Sequence, residues 1–160
     1  MFLNYETPYI FSFLIFFSCN LNTKTKITQE IPQEKEQINK IKNVLETQRK
    51  CWNKGDINGF MEGYWKSKDL IFTSASHKPA YGWKNTLKRY KNSYPNKESM
   101  GELNYNVIDI KITSSTTALL NGTWELIRKN DNPEGKFWLE LESFNGKWLI
   151  TKDSTISIVY

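Results

Sequence analysis

Cysteine is scarce: only Cys19 and Cys51 occur, too few for a disulfide framework or a Cys-rich zinc site. His77 is the one histidine, which excludes HExxH sites and His-rich metal centres. No GxxxxGK[ST] or GxGxxG run occurs, so the usual phosphate cradles are missing and no cofactor is expected. Arginine is rare, 3 residues against 19 lysines. The net charge is +5, but bidentate phosphate and base recognition favours arginine. The lysines are also interleaved with glutamate, as in Lys35-Glu36 and Lys97-Glu98, and form no basic block. A solvated Lys-rich surface is the reading, and no nucleic-acid partner is expected. Long apolar runs are missing too. The run from Tyr9 to Phe17 is nine residues, far short of the ~20 that span a bilayer.

What is there suits one folded domain. The 160 residues are 39% hydrophobic and 14% aromatic. A chain of this size buries roughly 68–70% of its unfolded surface, so it needs no disulfide or metal to hold it. The apolar run, followed by Ser18-Cys19, suits the core of a secretory signal. Phe16-Phe17-Ser18-Cys19 resembles the cleavage site of bacterial lipoproteins. That resemblance implies a signal peptide over 1–18, lipidation of Cys19 and attachment to the periplasmic or cell-surface side of a bacterial membrane. Residues 19–33 follow as an anchored linker, since Asn20 to Gln33 has almost no apolar periodicity. Fourteen such residues reach about 20 Å root-mean-square. The folded domain is then 34–160.

Within it, Ile38, Ile41, Leu45, Gln48 and Trp52 recur at three- and four-residue steps and predict an amphipathic helix over about 34–54. Cys51, beside Trp52, reads as a small packed hydrophobe. Gly55 is a natural helix stop and Asp56 a natural N-cap for a second helix over 57–66. A short strand over 70–74, a loop holding His77 and Pro79, and a third helix from Gly82 to about Ser93 follow, closed by Pro95. Four strands complete the chain. In the first, the apolar phase slips between Val107 and Ile108, which predicts a bulge. In the second, Ala118, Leu120, Gly122, Trp124 and Leu126 share a face. Asn145-Gly146 predicts a two-residue hairpin turn. The expected class is α+β: three N-terminal helices against a curved antiparallel sheet that encloses a cone with an open mouth.

Trp52-Asn53-Lys54-Gly55-Asp56, Tyr64-Trp65-Lys66-Ser67, Tyr81-Gly82-Trp83, Arg89-Tyr90, Gly122-Thr123-Trp124-Glu125-Leu126 and Gly146-Lys147-Trp148-Leu149-Ile150 occur in this order. Together they resemble the nuclear transport factor 2-like (NTF2-like) superfamily, in its DUF4440 and SnoaL-like branch. The resemblance implies a cone-shaped barrel with a pocket, usually a homodimer packed through its sheet. It implies no single activity, because the superfamily includes isomerases, dehydratases, cyclases and proteins that only bind. Ketosteroid isomerases share the corner at Asn53. Their oxyanion tyrosine falls at Gln48 here and their general-base aspartate at Phe72, so their mechanism is not carried over. Many DUF4440 relatives end the last strand with Asp-His-Ser or Asp-His-Thr, whereas this chain has Asp153-Ser154-Thr155.

Asp153 is thus the acid expected near the cavity, either as a general base with a raised pKa or as an ionised, hydrogen-bonded structural group. Gln48, Trp52, Tyr64, Trp83, Tyr90 and Trp124 are the expected lining, and Tyr90, Asp153 or a ligand the expected partners of Gln48. His77 is expected at the surface. Trp138 and Trp148 are expected on the outer sheet face, opposite Phe137, Leu139 and Leu149. The leading functional expectation is a lipid-anchored domain that binds a small, largely apolar molecule without transforming it. The alternatives are a cofactor-free isomerase or cyclase using Asp153, and a structural module whose cavity is filled by its own side chains.

Overall fold

The computed structural model describes residues 22–75 and 77–158, with side chains from Gln33 onward. The expected signal peptide and Cys19 lie outside the described residues. The elements are α1 (Asn22–Asn53), α2 (Ile57–Met61), β1 (Ile71–Ser74), β2 (His77–Tyr81), α3 (Trp83–Ser93), α4 (Lys97–Met100), β3 (Glu102–Ile112), β4 (Thr117–Ile127), β5 (Glu134–Phe144) and β6 (Lys147–Ile158). Helix α1 takes in the stretch 22–33 that reads as linker. A polar composition excludes a packed face but not a helix, and Lys, Gln and Glu are good helix formers. Burial follows the expected stripe: Ile41, Leu45, Gln48 and Trp52 are buried.

The corner after α1 is built by three residues. Gly55 takes φ +80°, open to glycine at little cost. Asp56 accepts the Gly59 N–H at 2.8 Å and so caps α2. Asn53 accepts the Leu103 N–H at 2.7 Å and donates to the Leu103 carbonyl at 3.2 Å. Its amide thereby ties the end of α1 to the start of β3.

The strands form one six-stranded sheet in the order β2-β1-β6-β5-β4-β3. Strands β3 to β6 are an antiparallel meander. The sheet is nevertheless mixed rather than antiparallel throughout, because β1 pairs parallel to β6, Phe72 opposite Asp153. The segment expected as a loop around His77 is edge strand β2, paired to β1. An edge strand tolerates Pro79, which has no N–H to donate. The bulge falls where the phase slips: Val107 faces Gly122 and Asp109 faces Asn121, leaving Ile108 exposed. Asn145 and Gly146 both take positive φ in the β5–β6 turn.

Trp148 is a correction. It is buried in the core, and its indole N–H donates to Gln37 at 2.9 Å. A second bulge explains it. Leu139 faces Asp153, but Leu141 faces Ile150, so one extra residue of β6 is taken up between them. Without that residue Leu149 would have pointed inward with Asp153. With it, Trp148 and Ile150 do.

Candidate ligand pocket

The concave side of the sheet and the helices enclose a cavity of about 170 Å³. A single water needs only about 10–15 Å³, so the space suits a small organic molecule. Helix α1 contributes Gln48 and Trp52, the end of α2 and the turn after it Phe60 and Tyr64, and α3 Arg89 and Tyr90. The sheet contributes Phe72, Tyr105, Trp124, Phe137 and Asp153. Trp52 packs edge-on against Phe60 and Tyr94, at 5.1 and 4.7 Å between centroids, and its N–H donates to the Met100 carbonyl at 3.1 Å. Trp124 donates to Thr155 Oγ1 at 2.9 Å. With their polar tips satisfied in this way, both indoles offer the cavity apolar surface.

Asp153 sits inside this aromatic wall at 5% exposure. Tyr64 donates to its Oδ2 at 2.6 Å, and the Tyr90 hydroxyl lies 3.1 Å from that of Tyr64. Tyr64 has one proton and commits it to Asp153, so Tyr90 is the donor in the second contact. Oδ1 is buried without a hydrogen-bond partner in the protein. Burial pushes the carboxyl up from 3.8 to about 7, and the Tyr64 hydrogen bond works against that rise. Burial, then the charge of Asp153, holds Tyr64 and Tyr90 well above the ordinary tyrosine range. Near neutrality Tyr64 and Tyr90 therefore stand as protonated phenols beside a carboxyl that gains or loses a proton readily.

Of the expected lining, Gln48, Trp52, Tyr64, Tyr90, Trp124 and Asp153 converge on this space. Trp83 does not line it. Its N–H donates to the Met61 carbonyl at 2.9 Å, and Lys66 lies 5.3 Å from its ring centroid. Gln48 differs in its partner. Its Nε2 donates to the Phe60 carbonyl at 3.1 Å, joining α1 to α2, and neither Tyr90 nor Asp153 is that acceptor. Gln48→Leu is accordingly expected to lower the unfolding free energy by about 1–2 kcal/mol in a urea titration. Unchanged or higher stability would show that the amide serves the cavity instead.

His77 is exposed at the mouth, among the residues that line it. Arg89, Ser74 and Tyr105 were missed as lining residues. One signal for Arg89 was available, its rarity as one of three arginines. Among the described residues no group of three or more His, Cys, Asp or Glu is arranged to hold a metal ion, and no helix is long and apolar enough to cross a membrane.

No family model and no curated protein matches the chain. Solved structures do. An NTF-2 like protein of unknown function from Shewanella oneidensis MR-1 is 39% identical, over 74% of this chain and 98% of that one, with a TM-score of 0.71. A ketosteroid isomerase-like protein from Erwinia carotovora atroseptica SCRI1043 aligns at 15% identity over 75% and 95%, with a TM-score of 0.63. A domain of unknown function with a cystatin-like fold from Nostoc punctiforme PCC 73102 aligns at 14% identity over 74% and 75%, also at 0.63. The last two share the fold alone.

Proposed function

This chain belongs to the NTF2-like family, and from that premise we propose that its cavity binds a small, largely apolar molecule anchored through one polar group by Asp153 and Tyr64. The observation that carries this reading is the buried Oδ1 of Asp153, without a partner in an aromatic-lined space. A buried acceptor left unmade costs roughly 1–3 kcal/mol, and a ligand hydroxyl or amine would satisfy it. Native mass spectrometry of the purified protein tests the reading. A co-purified small molecule is expected, and its loss in Asp153→Ala. A ligand-free protein that takes up no aromatic alcohol at millimolar concentration would overturn it.

A second reading rests on the same carboxyl. A group with a pKa of about 7 works as acid and base near neutrality, so Asp153 would move a proton on the bound molecule, with Tyr64 holding the carboxylate. This is cofactor-free chemistry of the isomerase or cyclase kind. A structural module is disfavoured by the open volume, which the protein's own side chains leave unfilled. The Trp52 to Asp56 corner supports the DUF4440 and SnoaL-like branch as the finer placement.

Two proposals concern where and how the domain works. Lipidation at Cys19 would hold it outside the cytoplasm on a membrane. Cys19→Ala is expected to abolish lipid labelling and move the protein from the membrane to the soluble fraction. Wild-type protein with an intact N-terminus in the cytoplasm would refute this. Stable attachment needs more than one acyl chain, because a single chain binds marginally. The second proposal is a homodimer. Leu119 and Trp138, each 47% exposed, and Ile156, 38% exposed, share the outer sheet face. Exposed apolar side chains gathered on one sheet face support an interface there. Trp138→Lys is expected to turn a dimer into a monomer in sedimentation at 100 μM or so, and a monomeric wild type there would end the idea.

A further inference from the structure

Among the described residues, four buried side-chain polar atoms have no hydrogen-bond partner: Ser74 Oγ, Arg89 Nη1, Arg128 Nε and Asp153 Oδ1. Three of the four belong to residues that line the one cavity described above. Native proteins leave few such atoms, and a cluster of them calls for an occupant. Their arrangement has a direction. Phe72 lies opposite Asp153 in the parallel β1–β6 register, and Ser74 lies opposite Thr155. Ser74 is therefore one strand across and two residues along from Asp153, about 8 Å between backbones, and on the same face. Arg89 reaches this end from α3. Its Nη2 donates to the Lys78 carbonyl on β2 at 2.8 Å, and its guanidinium carbon lies 5.1 Å from the Phe72 ring centroid. Those two contacts hold the side chain in place and leave Nη1 and its protons unused.

The cavity thus has unlike ends. Beside Asp153 it has a bare acceptor next to phenols; beside Ser74 it has a cationic donor and a hydroxyl. Aromatic rings of Phe72, Tyr90 and Trp124 also line it. We infer that the ligand is an aromatic or alicyclic carboxylic acid, its carboxylate held by Arg89 Nη1 and Ser74 Oγ and its far end, a hydroxyl group, meeting Asp153. The inference rests on the cavity-binding reading and narrows it to a substrate class. One arginine and one hydroxyl suit a monoanion. A carboxylate also matches the planar guanidinium. The opposite orientation would set the carboxylate against Asp153, where the two carboxyls could not both ionise, and would leave the Arg89 donor without an anion.

Three probes separate the outcomes: 6-hydroxy-2-naphthoate, its methyl ester, and 2-naphthol, each titrated calorimetrically into the full chain. The acid is expected to bind about tenfold or more tightly than the ester, the size of a charge-assisted hydrogen bond. That preference is expected to vanish in Arg89→Gln and to shrink in Ser74→Ala. Comparison of acid and ester on the unaltered protein keeps the test valid if Arg89→Gln does not fold. Equal binding of acid and ester would overturn the carboxylate assignment while the cavity-binding reading stands. Binding by none of the three would overturn both.

Discussion

Asp153→Asn is expected to be more stable than the unaltered protein at pH 8, by on the order of 2–4 kcal/mol in urea unfolding. The folded carboxyl titrates at about 7 instead of 3.8, because burial disfavours its charge. Between those values the unfolded chain has released this proton and the folded chain still holds it. Stability therefore falls as pH rises through that window, by up to about 1.4 kcal/mol per pH unit, and levels off above the folded pKa. Below about pH 3 both states are protonated and the contribution is fully present. Tyr64 and Tyr90 remain protonated throughout, since burial raises them further. Asparagine removes the charge and keeps an oxygen for the Tyr64 proton. The variant's stability curve should lack the decline between about pH 4 and 7, and parallel curves for the two proteins would show that Asp153 ionises normally. If the carboxyl also moves protons, the stabler variant will be the inactive one, the usual trade at a functional site.

Gly135→Ala is expected to cost about 3 kcal/mol or more, measured by the same unfolding experiment. A Cβ placed there would collide with the Ile156 carbonyl oxygen and meet the Trp124 ring at 2.7 Å. The ring has little room to yield, since its N–H is held by Thr155. The carbonyl belongs to the strand paired with β5 at this point, Gly135 opposite Ser157, so relief would require the strands to part. Overpacking in a core typically costs about 1–3 kcal/mol, and more where backbone must move. A shifted tryptophan emission spectrum and weaker probe binding are expected alongside, as Trp124 is pushed into the cavity. A variant as stable as the parent would mean that the sheet opens easily there.

The parts of the fold legible beforehand are those written in local period. Ile41, Leu45, Gln48 and Trp52 mark one helix face at any tertiary arrangement. The slip at Val107-Ile108 announces a bulge because strand side chains alternate strictly. Asn145-Gly146 announces a turn because few other pairs take positive φ twice. The edge strand β2 was not legible, since its His77-Lys78-Pro79 has no apolar alternation and its reason for being a strand is the neighbour it pairs with. Trp148 was misplaced for a related reason. The second bulge, between β5 and β6, leaves no apolar slip in the sequence, and only the register across the two strands reveals it.

The candidate site divides along the same line. Sequence alone led to the expectation of an acid on the last strand with aromatic residues around it, which is where Asp153 lies on β6. Tertiary structure decided what that acid is. Tyr64 and Asp153 are 89 positions apart, and no periodicity links residues at that distance. Their 2.6 Å contact, the desolvation that raises the carboxyl, and the bare donors of Arg89 and Ser74 all arise from burial by several elements at once. Burial and pairing across the fold set pKa and hydrogen-bond demand, and a linear pattern carries neither quantity.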